Sequence, residues 1–369
     1  MPNLLRSFMR DRILHLLLLL GVIMLPLANF RWSQLPSAVD WHTIMTLTGL
    51  LMLTKGLENS GYFDVLGARL IQRFQHERAL ALFMVCAAAL LSTFLTNDVA
   101  LFILVPLTLT LRKFSRLPIS RLIIFEALAV NAGSLLTPVG NPQNILLWSH
   151  GTLSVPGFIA QMAPLAAFLL LSLMALTWWS FPARAIQKHE QSETQAWRKP
   201  LFTISVLLYI VFIVALELKM TGWALLLVAA CFLIMARSVL ISIDWSLLLV
   251  FVAMFIDVFL LMHLSWLQPH FAAIGQLGEG GIYLLAIGLS QFISNVPATI
   301  LLLQKVPPSE VLAWAVNIGG FGLLPGSLAN LIALRMAQDA RVWLRFHLFS
   351  IPMLAWSMLG GWLLLHLMR

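Results

Sequence analysis

Two polar clusters with nearly the same spelling interrupt an otherwise apolar chain. The first contains Ser92, Thr96, Asn97 and Asp98; the second contains Ser290, Ser294 and Asn295, followed by Val296. Ser92 and Thr96 are four residues apart, as are Ser290 and Ser294, and on a helix that spacing puts both hydroxyls on one face. Each asparagine adds an amide donor and a carbonyl acceptor, so each cluster offers acceptors to a cation and donors to an anion at one place. Asp98 gives only the first cluster a carboxylate. Downstream of each cluster lies a glycine- and proline-rich stretch framed by two asparagines 13 residues apart. Asn131 and Asn144 frame Gly133, Pro138, Gly140 and Pro142, while Asn317 and Asn330 frame Gly319, Gly320, Gly322, Pro325 and Gly326.

These residues need elements that bring them together in a membrane. The chain is 60% hydrophobic and 10% charged, against about 25% charged in a soluble domain. Glycine and proline at those positions break a helix, and exposed backbone within a bilayer is tolerated only inside protein or against a water-filled cavity. The half-helix ends then serve as ligands: carbonyls suit a hard cation such as Na+, and N-termini suit an anion. The net charge of +8 is spread over the ends of apolar runs, which points to membrane orientation and away from nucleic acid. Cys86 and Cys231 lie in separate apolar runs and read as small buried hydrophobes.

A membrane crossing takes about 20 apolar residues. Full spans are expected at 13–30, 41–57, 122–148, 156–183, 201–217, 222–236, 245–263, 311–335 and 346–366. The apolar regions 80–112 and 281–303 are split by the two clusters into halves of about 10 to 17 residues, short for a crossing, and read as re-entrant hairpins. The basic stretch Arg6 to Arg12 before residues 13–30 imitates a secretory signal; with so many later spans it reads as an uncleaved first helix, cleavage being the alternative. With the N-terminus inside, 19 of the 23 Arg and Lys residues face the cytoplasm and Arg31, Lys219, Lys305 and Arg369 face out.

The fold class expected is therefore an all-α polytopic membrane protein made of two inverted-topology repeats, each with a re-entrant helical hairpin and a broken transmembrane helix. The first repeat covers 1–183, with its hairpin at 80–112 and its broken helix at 122–148. A cytoplasmic linker covers 184–200, and the second repeat covers 201–369, with its hairpin at 281–303 and its broken helix at 311–335. Asp40-Trp41 and Asp244-Trp245 each open a span at matched places. Residues 61–78 read as an amphipathic interfacial helix. The alternative for the Ser, Thr and Asn clusters is interhelical glue, worth about 0.6 kcal/mol per residue. Asp98 at the first tip and Asp257 within 245–263 are candidates for ion or proton handling. For Glu126 and Lys55, snorkelling or a structural ion pair is the preferred reading, Lys55 having Glu58 as a partner.

The Asp-Trp openings, the hairpin tips and the Gly140-Asn-Pro-Gln-Asn144 stretch resemble the ion transporter superfamily, which groups divalent-anion/sodium symporters, citrate permeases, arsenite permeases and certain sodium/proton antiporters. The resemblance implies one Na+ site around Ser92, Thr96, Asn97 and Gly133, and another around Ser290, Ser294, Asn295 and Gly319. It also implies separate scaffold and transport parts, a homodimer, and placement in a bacterial inner membrane. The tips depart from the Ser-Asn-Thr of the dicarboxylate symporters: Asp98 and Val296 stand where threonines are expected, and the Asn-Asp pairing is closer to the arsenite permeases.

The function expected is secondary transport of a small inorganic or organic anion, or an oxyacid, coupled to Na+ or H+. Substrate or ion contacts are assigned to Ser92, Thr96, Asn97, Asp98, Asn131, Gly133, Asn144, Ser290, Ser294, Asn295, Asn317, Gly319 and Asn330. A Na+/H+ antiporter titrating at Asp98 is the alternative. No cofactor beyond the coupling ion is expected, and no enzyme: His189-Glu190-Gln191-Ser192-Glu193 ends in Glu where a metalloprotease helix needs His, and the chain contains no phosphate-binding loop.

Overall fold

A computed structural model describes residues 8–9, 11–189 and 197–368. Arg6, Arg10, Arg369 and the linker positions 190–196 fall outside the described residues. All regular elements among the described residues are helical. The helices of nine or more residues are, in chain order, α1 Arg12–Met24, α2 Trp41–Asn59, α3 Tyr62–Arg73, α4 Glu77–Phe94, α5 Asn97–Phe114, α6 Ile119–Ser134, α7 Pro142–His150 and α8 Val155–Ser180. They continue with α9 Lys199–Glu217, α10 Thr221–Met235, α11 Trp245–Met262, α12 Glu279–Ile293, α13 Asn295–Leu303, α14 Glu310–Ile318, α15 Leu328–Met336 and α16 Val342–Leu367. Of these, α4, α8, α9, α11 and α16 are long and apolar enough to cross a membrane.

Local chemistry explains the starts. Asp40 and Asp244 cap α2 and α11 through the amides of Thr43 and Leu247, an arrangement worth about 1 kcal/mol. The indoles of Trp41 and Trp245 each donate to the carbonyl five residues back, Pro36 at 2.8 Å and Leu240 at 3.1 Å. The paired Asp-Trp motifs are thus helix-entry devices. Thr96 caps α5, Asn141 caps α7 and Ser309 caps α14.

The chain forms two compact units, each drawing on both halves of the sequence. The first comprises Met1–Tyr62 and Ala196–Ala272. Within it α2 packs on α9 and α10, and α1 packs on α11. The second comprises Phe63–Gln195 and Ala273–Arg369. Within it each hairpin, α4–α5 and α12–α13, packs on the broken helix that follows it, α6–α7 and α14–α15. The pieces also cross over: α15 packs on α5 and α6, and α7 packs on α13 and α14.

Two sequence expectations need correction. The arms of the first hairpin have 18 residues each, about 27 Å at the helical rise, because hydrogen bonding continues through the charged ends Glu77-Arg78 and Arg112-Lys113. The arms of the second, 15 and 9 residues, fit the short reading. The first helix stops at Met24 instead of Phe30: Pro26 has no N–H to extend it, and the chain then turns so that Asn29 bonds to the His263 carbonyl and the Ser265 hydroxyl.

The described part of the linker is strapped to the mouth of the first hairpin. Glu77 N–H donates to Arg184 O and Ile186 N–H to Gln75 O, while Arg116 N–H donates to Gln187 O and His189 N–H to Phe114 O. Arg184 also pairs with Glu77 at 3.0 Å. Of the stretch 61–78 expected as one amphipathic helix, residues 62–73 are helical and Glu77 and Arg78 open α4; Phe63, Gly67 and Ile71 form the buried stripe and Arg69, Gln72 and Arg73 are exposed.

Candidate functional site

Both predicted helix breaks occur. α6 ends at Ser134 and α7 begins at Pro142; α14 ends at Ile318 and α15 begins at Leu328. Each break is held by the hairpin of its own half. Thr93 donates to the Gly133 carbonyl at 3.1 Å, and the next residue after Ser290, Gln291, donates to the Gly319 carbonyl at 2.9 Å. Gly133 and Gly319 allow this approach. A Cβ on Gly133 would lie 2.1 Å from the Ala89 carbonyl oxygen and 2.6 Å from Ser92 Oγ, and one on Gly319 would lie 2.4 Å from Ser290 Cβ. The fold thus brings Ser92 against Gly133 and Ser290 against Gly319. Ser92 and Ser290 direct their hydroxyls to the carbonyls of Ala89 and Ala286 in their own helices.

The hairpin tips differ in backbone. In the first, Leu95 and Thr96 turn the chain in extended conformation, and Asn97 N–H bonds to the Gly140 carbonyl of the break. In the second, Ser294 alone separates α12 from α13. It makes the turn at φ 71 and ψ 154, a region occupied almost only by glycine, at a cost of about 1–3 kcal/mol. Asn97 Oδ1 accepts the Asp98 N–H, and Asn295 Oδ1 takes a 3.4 Å contact from Ser294 Oγ. Asp98 sits in the first turn of α5, half-buried, where the helix dipole favours negative charge. Its Oδ1 is shielded from solvent and has no partner among the described residues.

The framing asparagines cross between the halves. Asn131 Nδ2 donates to Asn330 Oδ1 at 2.9 Å and Asn317 Nδ2 to Asn144 Oδ1 at 2.8 Å. Asn131 also donates to Gly320 O and accepts from Ser327; Asn330 donates to Gly320 O. Asn317 accepts from Asn141 and Gln143, and Asn144 donates to the carbonyls of Leu135 and Thr137. A Cβ on Gly320 would lie 3.3 Å from Asn295 Nδ2 and 3.5 Å from Asn131 Cγ, so the second tip abuts this network.

Asp257 belongs to the first unit, whereas the hairpins belong to the second. Its Oδ1 lies against Gly21, where a Cβ would sit 2.6 Å away. Lys55 pairs with Glu58 at 3.0 Å, as expected. Glu126 departs from its expected reading: it is fully buried and makes no ion pair among the described residues, bonding instead to the Thr108 hydroxyl. Its place well inside the packed length of α6 prevents the side chain from reaching an interface. Thr93, Gln291, Asn141, Gln143 and Ser327 were not singled out from the sequence. For Thr93 and Gln291 the signal was available, since both follow the serines of the duplicated clusters.

Hairpins seated on broken helices, in an apolar chain with five crossing-length helices, define a polytopic helical membrane protein. The family model described as citrate transporter matches residues 9–306, and the chain belongs to that family. It is 60% identical over 361 residues to "Inner membrane protein YbiR" of Escherichia coli, covering 98% of this chain and 97% of that protein. It is 28% identical to "Uncharacterized transporter MJ0456" of Methanocaldococcus jannaschii, covering 86% and 87%, and 25% identical to the "46 kDa membrane protein" of Mycobacterium leprae, covering 89% and 86%. The chain is thus a transporter by family and not an enzyme.

Proposed function

We propose that the protein is a secondary active transporter of a small anion or oxyacid, coupled to Na+ or H+, in a bacterial inner membrane. The observation that carries this reading is the duplicated seat: each hairpin tip, with Asn97 or Asn295 at its first helical residue, stands against the irregular backbone of a broken helix. Asn97, Asp98 and Thr96, with the Ser92–Gly133 contact, would bind at the first tip; Ser294, Asn295 and the Ser290–Gly319 contact would bind at the second. The asparagines Asn131, Asn144, Asn317 and Asn330 frame both seats and would act on substrate by holding the breaks open. The anionic substrate meets amide donors, while carboxylate, hydroxyl and carbonyl oxygens suit the coupling cation. The oxygen of Asp98 that has no partner favours one further reading, a Na+/H+ antiporter.

Uptake into proteoliposomes tests this. Concentrative uptake of arsenite, citrate or another small anion that requires an imposed Na+ or H+ gradient supports symport. Collapse of a pH gradient on adding Na+ alone supports antiport, and neither response in a folded preparation refutes both. The N-terminus is assigned to the cytoplasm and the C-terminus to the periplasm on the 19-to-4 distribution of Arg and Lys. Reporter fusions after Arg116 and after Arg369 should read cytoplasmic and periplasmic; the same side for both would overturn the inverted repeat. A homodimer is assigned by family resemblance, and cross-linking in native membranes should yield a band at twice the monomer mass.

A further inference from the structure

Glu126 is fully enclosed in the second unit and has no part in the reading above. It stands in α6 five residues before Asn131. Its Oε1 accepts a hydrogen bond from Thr108 Oγ1 of α5 at 2.5 Å, and its Oε2, also enclosed, has no partner among the described residues. An ionised carboxylate so placed, with one hydroxyl and no cation, would cost several kcal/mol. A neutral acid meets the same surroundings at far lower cost.

Among the described residues, none of the charged groups on the helices packed around it forms an ion pair with it. α6 packs against α4, α5, α8, α15 and α16, and α8 carries no titratable side chain. On α4, Glu77 pairs with Arg184 and Arg78 donates to the Phe181 carbonyl. On α5, Asp98 stands ten residues before Thr108, about 15 Å along the helix; Arg112 and Lys113 lie in its last turn, Lys113 bonded to Asp64. On α16, Arg345 pairs with Asp339, and His347 and His366 bond to carbonyls one turn back. Arg121 of α6 itself donates to the Ser180 carbonyl, and Arg335 of α15 has interactions of its own. Among the described residues, Thr108 alone hydrogen-bonds to the Glu126 carboxyl.

The second half of the chain carries no acid at the position that matches Glu126. Counting from Asn317 as Glu126 is counted from Asn131, the matching residue is Leu312. α13 ends at Leu303, before the place that Thr108 holds in α5. An acid stands in α6 where α14 has a hydrocarbon side chain.

We infer that Glu126, oriented by Thr108, is a proton-binding site of the second unit, occupied in the conformation described and emptied when the packing of α5 on α6 opens to water. Binding forms an O–H bond at Oε2 while Thr108 donates to Oε1; release leaves the carboxylate and passes the proton to water. The site's use in transport rests on the function proposed above, but its occupancy is a property of the folded protein alone.

Infrared spectra of the full chain in lipid nanodiscs at neutral pH read that occupancy. A protonated carboxyl C=O band should be present, lost in Glu126→Gln and retained in Asp98→Asn. Thr108→Val should shift the band to higher wavenumber, and Thr108→Ser should restore it. The Thr108 variants leave Glu126 in place, so the test survives if Glu126→Gln does not fold. A wild-type minus Glu126→Gln difference showing only ionised carboxylate bands, or a band unmoved by Thr108→Val, would overturn the inference. A preparation that shows the band yet moves no ion or anion would keep the site and refute the transport reading.

Discussion

Asn317 donates from Nδ2 to Asn144 Oδ1 at 2.8 Å, and Asn131 Nδ2 makes the same bond to Asn330 Oδ1 at 2.9 Å. In both, the first framing asparagine of one half bonds to the second framing asparagine of the other. The two breaks are therefore tied to each other by neutral amides, which satisfy exposed backbone carbonyls without burying a charge.

Asn317→Ala should destabilise the protein by about 2 kcal/mol, because it strands Asn144 Oδ1 and Gln143 Nε2 and leaves Asn141 Nδ2 with Ser134 Oγ alone. Asn97→Ala and Asn295→Ala should cost no more than about 1 kcal/mol yet abolish transport. Thermal unfolding in detergent beside proteoliposome uptake separates the two effects. Equal destabilisation by Asn97→Ala and Asn317→Ala would return the tip residues to the role of glue.

The breaks and tips were legible because glycine, proline and polar residues inside an apolar run are local signals. Pairing partners were not: spacing puts Asn131 and Asn144 on broken segments but does not say that each will meet an asparagine nearly 200 residues away. The arm lengths of the first hairpin were misjudged because apolarity stops at Leu80 and Leu111 while backbone hydrogen bonding runs on into charged ends. Glu126 was misread for a related reason. Its depth depends on Thr108, 18 residues earlier, and on the helices packed around α6, most of which are distant in sequence.

Gly133→Ala and Gly319→Ala should each destabilise the protein by about 1–3 kcal/mol through overpacking, but only one should be rescued. At Gly319 the obstruction is the Ser290 side chain, so Ser290→Gly should recover part of the loss. At Gly133 it includes the Ala89 carbonyl oxygen at 2.1 Å, which no substitution removes. Unfolding midpoints of the single and double variants provide the test, and rescue of Gly133→Ala by Ser92→Gly would contradict it.

Ser294→Gly should stabilise the second tip by about 1 kcal/mol, since glycine adopts φ 71 and ψ 154 without strain. Ser294→Ala keeps the strain and should not. A gain in unfolding temperature confined to the glycine variant is expected; a loss with both would mean that the hydroxyl outweighs the backbone term.

Asp339, between α15 and α16, is held below its ordinary carboxylate range by the Ser120 hydroxyl, then by the Arg341 N–H and the nearby Arg345 and Arg112 charges. A lowered folded-state pKa contributes stability that is present above the unfolded value of 3.8 and disappears as pH falls through the folded value. Asp339→Asn should therefore narrow its stability gap to the wild type as the pH drops below that range. Unfolding temperatures at neutral and acid pH measure the gap, and an unchanged gap would exclude Asp339 as a contributor.

Asp98 yields the most direct test of coupling. Its Oδ1 lies shielded and without a partner at the first turn of α5, beside Asn97 and Thr96. A carboxylate in that position needs a cation or a proton, and the two should compete for it. Asp98→Asn preserves shape and removes the charge, so any remaining transport should lose its dependence on both Na+ and pH. Asp98→Glu keeps the charge on a longer arm and should retain the dependence with weaker ion affinity. Uptake across a matrix of Na+ concentration and pH reads both. Wild-type dependence in Asp98→Asn would remove Asp98 from the coupling step and leave Asp257, the other acid singled out for that role, to be tested in the same way.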